Sequence, residues 1–239
     1  MSQNLLVKPI PSQTLLSFGL PNIDNLFPGF AAGDFAVLQG TSSIIPLALL
    51  LSVRAQLPPQ LGGLATNVVF VDGGNTFRLY KVSRIAQLHQ LDPRQVLERI
   101  YISRAFTAYQ MTSVILEKLA ATIDTYNSKL VIISDIAGLY LDKDVPAEEA
   151  KEIFSQVTAY LSKLAREKQI VIIATCPPHY QSRLNTFLHA VACGRANIVA
   201  SILPTKLGRV FALEKHPSLD LECIKFSPDN NTLSRFMER

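Results

Sequence analysis

Short apolar runs alternate with stretches of helical spacing along the chain. These runs hold few polar side chains, which is typical of strands buried on both faces in a parallel sheet covered by helices. They lie at 34–39, 67–72, 100–102, 130–134 and 170–175. The alternation of strands and helices predicts right-handed βαβ units stacked into a three-layer α/β domain.

Helical spacing predicts the elements between these strands, and the last part of the chain changes character. Helices are expected at 44–56, 78–90, 92–99, 111–126 and 146–167. A loop rich in Pro and His is expected after the last parallel strand. Strand-like pieces without intervening helices then follow at 198–203, 209–215 and 221–226, which predicts antiparallel hairpins added at one edge of the sheet.

Composition excludes some classes of protein but indicates no catalytic or binding residues. Of the 239 residues, 48% are apolar and 18% are charged, which excludes a disordered chain. A formal net charge of +4 is too small to argue for nucleic-acid binding by itself. The most apolar stretch, 44–53, is too short to span a membrane, and we expect no signal peptide. Three separated cysteines do not indicate a disulfide framework, so we expect a cytoplasmic protein with an N-terminal arm over 1–16 and a core domain over 17–239.

Long pieces of the sequence, in the same order, resemble the RecA-type ATPase core of the archaeal RadA recombinase family and its paralogues. They are GLPNIDNLFPGFAAGDFAVLQG at 19–40, VVFVDGGNTFRLYKVSRIAQLHQLDPRQVLERIYISRAF at 68–106, KLVIISD at 129–135 and IVIIATC at 170–176. The resemblance covers roughly 14–226. It implies a RecA-type P-loop ATPase core with three layers, whose mostly parallel sheet carries the antiparallel hairpins at its end.

The resemblance also locates the phosphate loop, residues 40–47, where the family motif reads G-x-x-x-x-G-K-[ST]. Gly40 keeps the first glycine of the motif. Ile45 stands at the second glycine, Pro46 at the lysine that neutralises phosphate charge, and Leu47 at the hydroxyl that binds Mg²⁺. Because each change removes a different phosphate or metal contact, we expect no ordinary binding of Mg-ATP and no cofactor.

At two further positions of the family's catalytic site, the resemblance implies that one residue is lost and one is kept. Gly74 stands where the family has the glutamate that activates the attacking water, so no general base remains there. Asp135 keeps the aspartate of the Walker B strand. It is either a Mg²⁺ ligand or a strand-end carboxylate that caps a neighbouring turn, and the loss of the lysine and hydroxyl in the phosphate loop favours capping.

The segment 179–197 matches the place where the family carries a mobile DNA-binding loop. Its side chains include groups that stack on bases or pair with phosphates, namely His179, Tyr180, Arg183, His189 and Arg195. The alternative is an ordinary surface segment in which Leu184, Phe187 and Leu188 pack as a helical turn.

Two other interpretations compete for nearby residues. Cys176, His179, His189 and Cys193 have zinc-like spacing, but their order is not that of a common zinc site, so we expect no metal. The family's other DNA loop corresponds to 138–146, whose acidic bias argues against phosphate contact. Basic residues between 78 and 104 either form a nucleic-acid patch or a solvated face.

The resemblance as a whole implies a non-catalytic RadA-like paralogue that acts by binding in DNA recombination or repair. Its expected partners are single-stranded DNA, an active recombinase or a second copy of the chain, and no membrane. Two alternatives stay open, an ATPase that combines a distorted phosphate loop with Asp135 and a KaiC-like scaffold outside DNA metabolism.

Overall fold

The computed structural model describes residues 14–205 and 208–226. Residues 1–13, which make up most of the expected arm, lie outside the described residues. Strand β1 (Leu15–Leu16) pairs antiparallel with β2 (Phe30–Ala31), and helix α1 (Pro21–Leu26) separates them in the chain. Leu16 is fully buried, so these last residues of the expected arm belong to the core.

The described residues form one eight-stranded sheet in the order β10-β9-β8-β3-β7-β6-β4-β5. The pairs from β8 across to β5 are parallel, whereas β9 and β10 join as antiparallel hairpins at one edge. This confirms the RecA-type α/β fold class. The strands are β3 (Phe35–Gly40), β4 (Asn67–Asp72), β5 (Ile100–Arg104), β6 (Ser128–Ser134), β7 (Val171–Cys176), β8 (Ile198–Thr205), β9 (Gly208–Lys215) and β10 (Cys223–Phe226).

Helices cover both faces of the sheet, and each face has its own apolar core. One face packs against α2 (Ile44–Arg54), α3 (Leu79–Leu88) and α4 (Pro93–Glu98). The other packs against α5 (Ala108–Ser113), α6 (Leu119–Tyr126), α7 (Ala147–Lys168) and α8 (Arg183–Arg195). A π-helical stretch, Val114–Lys118, joins α5 to α6, and short 3₁₀ turns lie at Pro59–Leu61 and Gly138–Leu141. Within the part of the chain that the structure describes, no helix is long and apolar enough to cross a membrane.

The segment after β7 differs most from the sequence-based expectation. Only 177–182 is a loop there, because α8 occupies most of the stretch that was expected to be irregular. Ser182 caps this helix by accepting a hydrogen bond from the Asn185 N–H at 3.0 Å. Leu188 and Ala192, one turn apart, are fully buried in the core. The helical-turn alternative therefore describes the backbone of this segment correctly.

Candidate functional site

The phosphate loop starts at the end of β3 with a glycine that its surroundings require. Gly40 has a φ of +111°, a conformation that other residues rarely adopt. A Cβ added there would lie 2.2 Å from the backbone oxygen of Ile202 on the adjacent strand β8. The next residue, Thr41, donates its N–H to that same oxygen at 3.0 Å. Close packing of two strands thus accounts for Gly40 without reference to a phosphate.

Three other N–H groups of the loop also have partners inside the protein. Ile44 donates to the Thr41 carbonyl at 3.1 Å, and Ile45 donates to the Ser42 carbonyl at 3.2 Å. The N–H of Ser43 contacts the Thr41 hydroxyl at 3.4 Å. These groups are the ones that would face phosphate oxygens in a phosphate-binding loop.

The side chains that replace the motif residues belong to the start of α2. Pro46 lies in the first turn of this helix, where its missing N–H breaks no intrahelical hydrogen bond. Leu47 is fully buried, and Ile45 packs against the same core from a half-buried position. The loop is therefore a tight, apolar helix start at the carboxyl edge of the sheet, the edge where β3, β4, β6 and β7 end.

Asp72, at the end of β4, organises the turn that follows it. This fully buried carboxylate accepts hydrogen bonds from the N–H of Thr76 at 2.7 Å and the N–H of Phe77 at 3.2 Å. It also pairs with Arg104 at the end of β5, at 3.4 Å. Our sequence reasoning noted Asp72 only as the end of a strand. The signal for its role was the turn sequence that follows it, in which a strand-end Asp precedes two glycines and an Asn-Thr pair.

Gly74, which stands at the position of the catalytic glutamate, lies directly beside Asp135. A Cβ on Gly74 would lie 2.8 Å from the Cβ of Asp135 and 2.9 Å from the Cγ2 of Thr76. A longer side chain at this position therefore needs its neighbours to move.

Asp135 follows β6 and is held by contacts within the protein. Its backbone is left-handed, with a φ of +52°, and its N–H donates to the Thr175 hydroxyl at 2.9 Å. Its Oδ1 accepts a hydrogen bond from the Gly138 N–H at 3.0 Å, which is the contact expected of a carboxylate that caps a turn. The same Oδ1 lies 2.7 Å from Nε2 of His179, a contact that the sequence did not indicate.

His179 therefore joins two regions that sequence reasoning treated separately. It comes from the segment assigned to DNA contact, yet its ring faces the Walker B position. The hydrogen bond to Asp135 raises the pKa of His179 above its ordinary value of 6.5 and outweighs the opposing effect of partial burial. The imidazole thus ties the loop 177–182 to the carboxyl edge of the sheet.

The other residues assigned to DNA contact separate into two places. Tyr180 is 89% exposed and lies three residues before Arg183, which is exposed at the first residue of α8. Arg195 is exposed at the last residue of this helix, about 18 Å further along its axis. Tyr180 and Arg183 therefore both belong to the N-terminal end of α8 or the loop before it, while Arg195 lies at the other end of the helix.

The basic residues of the chain centre lie in yet another region. Sheet order puts β5 four strand spacings from β3, about 19 Å across the sheet. Several of these side chains have partners of their own: Arg94 pairs with Glu98, Arg99 bonds Asn67 and Arg104 pairs with Asp72. Arg94, Arg99 and Arg104, around β5, therefore lie away from the start of α8.

The residues with zinc-like spacing do not come together as a metal site. Among the described residues, no group of three or more His, Cys, Asp or Glu side chains is arranged to hold a metal ion. The Cys193 thiol lies 3.9 Å from Nε2 of His189, while Cys176 is buried and His179 faces Asp135. Burial raises the pKa of Cys176, and it raises the pKa of Cys193 to about 11, so both stay protonated thiols at neutral pH.

The sheet order, the helices on both faces and the turn after β3 define a RecA-type α/β domain. The family model for Rad51 matches residues 31–187. The chain therefore belongs to the Rad51 family.

Two curated relatives carry the same description. The chain is 30% identical over 127 residues to the "DNA repair and recombination protein RadA" of Cenarchaeum symbiosum (strain A), a match that spans 52% of this chain and 31% of the relative. It is also 30% identical over 125 residues to the protein of that name from Aeropyrum pernix, across 52% of this chain and 39% of the relative. The matches thus span between about a third and two fifths of the length of these relatives.

Proposed function

We propose that this Rad51-family chain acts in DNA recombination or repair by binding, without hydrolysing ATP. The observation that carries the proposal is the phosphate loop, in which Pro46 replaces the lysine and the N–H groups of Thr41, Ile44 and Ile45 donate to carbonyls within the protein. The proposed partners are single-stranded DNA and either an active recombinase or a second copy of the chain.

The donor set at the carboxyl edge does not fit a Mg-nucleotide. Phosphate charge brought into such a site needs cations or free N–H donors, and unpaired burial costs several kcal/mol. Pro46 offers neither, Leu47 is a buried hydrocarbon, and Gly74 has no carboxylate. Oδ1 of Asp135, the remaining acidic candidate for Mg²⁺, already accepts the Gly138 N–H and contacts His179.

The relatives support the DNA part of the proposal. Both are named as DNA repair and recombination proteins, and the matched region of the family model includes the first residues of α8. Tyr180 supplies an exposed ring three residues before the exposed Arg183, and these side chains can stack on a base and pair with a phosphate.

Thermal unfolding in the presence of millimolar Mg-ATP tests the part of the proposal that concerns ATP. A ligand at about 100 times its dissociation constant adds about 2.7 kcal/mol, which raises the melting temperature of a domain of this size by about 5 °C or more. We expect no shift for the wild type. The triple variant Ile45→Gly, Pro46→Lys, Leu47→Thr should regain part of the shift but little hydrolysis, because Gly74 stays unchanged.

The single variant Leu47→Thr serves as control for the cost of placing a hydroxyl in the core. A wild-type shift of several degrees would overturn the proposal. Hydrolysis that Asp135→Asn abolishes would favour the ATPase alternative. Absence of nucleic-acid binding, together with a stable protein partner, would favour the scaffold alternative.

A further inference from the structure

A cavity of about 380 Å³ opens at the carboxyl edge of the sheet, on the face covered by α8. The strand register pairs Gln39 with Cys176 of β7 on one side and with Ser201 of β8 on the other. Directly paired residues in neighbouring strands put their side chains on the same face. These three side chains therefore form a row on the cavity floor, beneath the loop 177–182 and the start of α8.

Ser201 supplies a polar group with no partner. Its side chain is 1% exposed, and its hydroxyl makes no hydrogen bond to any described residue. Leaving a buried hydroxyl unpaired is unfavourable, and such groups are rare in native proteins. Its neighbour Gln39, by contrast, is satisfied, since its amide donates to the Glu214 carboxylate and accepts from the Cys193 thiol. The Ser201 hydroxyl is thus the group on this floor that is left for a ligand.

The charges along the cavity favour a neutral ligand with N–H groups over a phosphate. Among the described residues that line it there is no Lys or Arg, the imidazole of His179 is paired with Asp135, and Glu214 contributes a carboxylate. Carboxylates only accept hydrogen bonds, so Glu214 favours a ligand that donates. Pro177 and Pro178 add flat apolar surface beside these polar groups.

We propose that this cavity binds a nucleobase that carries an exocyclic amino group, as adenine, cytosine and guanine do. A planar ring packs against the prolines, its amino group donates to Glu214, and the Ser201 hydroxyl pairs with an adjacent acceptor on the ring. Thymine has no amino group, and its N3–H donor lies between two carbonyl oxygens that the carboxylate repels. The volume lies within the range of small-molecule sites.

The base can come from a free nucleoside or from a DNA strand bound at the start of α8. Only the second source rests on the proposed function. Two kinds of ligand distinguish these sources. Nucleosides have a base but no phosphate, and an oligonucleotide of abasic sites has phosphates but no bases.

The first arm titrates the full chain with adenosine and with thymidine, followed by NMR. We expect adenosine to bind about tenfold more tightly than thymidine and Ser201→Ala to weaken adenosine about tenfold. Ser83→Ala, on an exposed helix of the opposite face, is the control and should leave both affinities unchanged. If adenosine binds no more tightly than thymidine, or if Ser201→Ala leaves the affinity for adenosine unchanged, the cavity holds only water and the inference is overturned.

The second arm compares oligo(dA) with an abasic strand of equal length. If the base comes from DNA, Ser201→Ala weakens oligo(dA) alone, whereas Arg183→Ala weakens both strands by the same factor. Adenosine binding without any DNA binding would support the cavity and contradict the proposed function. A third outcome is that DNA binds, no nucleoside binds, and Ser201→Ala changes the affinities for oligo(dA) and for the abasic strand by the same factor. That outcome would contradict the proposed base-binding cavity but not the proposed function.

Discussion

Asp135 contacts two segments that lie far apart in the chain, the turn at Gly138 and the loop that carries His179. Both contacts converge on one carboxylate oxygen. The retained Walker B aspartate and a residue expected to contact DNA thus hold each other, and protonation of the imidazole governs the strength of this contact.

The contact between His179 and Asp135 predicts how stability changes with pH. Because the folded pKa of His179 lies above 6.5, the protonated pair contributes fully at pH values below 6.5 and its contribution is lost as pH rises through the folded value. Allowing for partial exposure, the pair is worth about 0.5 kcal/mol, or about 1–2 °C in melting temperature. The difference between the wild type and His179→Gln should therefore shrink between about pH 6 and pH 8.

His216→Gln is the matched control, because burial lowers the pKa of His216 and the sign reverses. Its difference from the wild type should grow as pH rises. A His179→Gln difference that stays constant over this range would contradict the prediction.

At the scale of single residues, the sequence indicates which residues stand at the motif positions but not the contacts that their neighbours make. Ile45, Pro46, Leu47 and Gly74 can be interpreted directly, because a motif fixes their positions relative to the strands. The contact of His179 could not be predicted, since it depends on the path of a six-residue loop, 177–182, and on the backbone of Asp135.

Among the elements, α8 is one that the hydrophobic periodicity of the sequence does not predict. The inner parallel strands could be predicted because each is an apolar run that both cores bury, whereas β5 at the edge buries only Ile100. α8 buries only Leu188 and Ala192 and follows two prolines, so its apolar pattern is weak. Its start could have been found from Ser182, a residue type that caps helices, three residues before Asn185.

Ser182 is expected to stabilise α8 through its cap. Ser182→Ala removes the acceptor for the Asn185 N–H and should cost about 1 kcal/mol, a loss of about 2–4 °C in melting temperature. Chemical denaturation of the wild type, of Ser182→Ala and of a second variant, Ser182→Asp, measures this cost. Ser182→Asp keeps an acceptor beside the positive end of the helix and should stay within about 0.5 kcal/mol of the wild type. Equal losses in the two variants would mean that the cap does not hold the helix.

For the whole molecule, the sheet order decides which charges can act together. The sequence predicts the order of elements along the chain, but the position of each strand in the sheet depends on long-range pairing that no local pattern encodes. That order separates α4, which carries Arg94 and packs on β5, from α8, which carries Arg183 and packs on β3. Arg94 and the start of α8 therefore belong to different surfaces.

This separation predicts how DNA binding should respond to charge removal. Each phosphate contact releases counterions, so losing one lowers the affinity for all sequences and reduces the salt slope by about one. Arg183→Ala should do both for single-stranded DNA, because Arg183 is exposed at the first residue of α8. Arg94→Ala is the matched control, since Arg94 is equally a surface arginine but pairs with Glu98 on α4. Titration between about 50 and 200 mM salt measures both slopes. Equal slopes for Arg183→Ala and the wild type, or an equal reduction by Arg94→Ala, would place the DNA-binding surface elsewhere on the molecule.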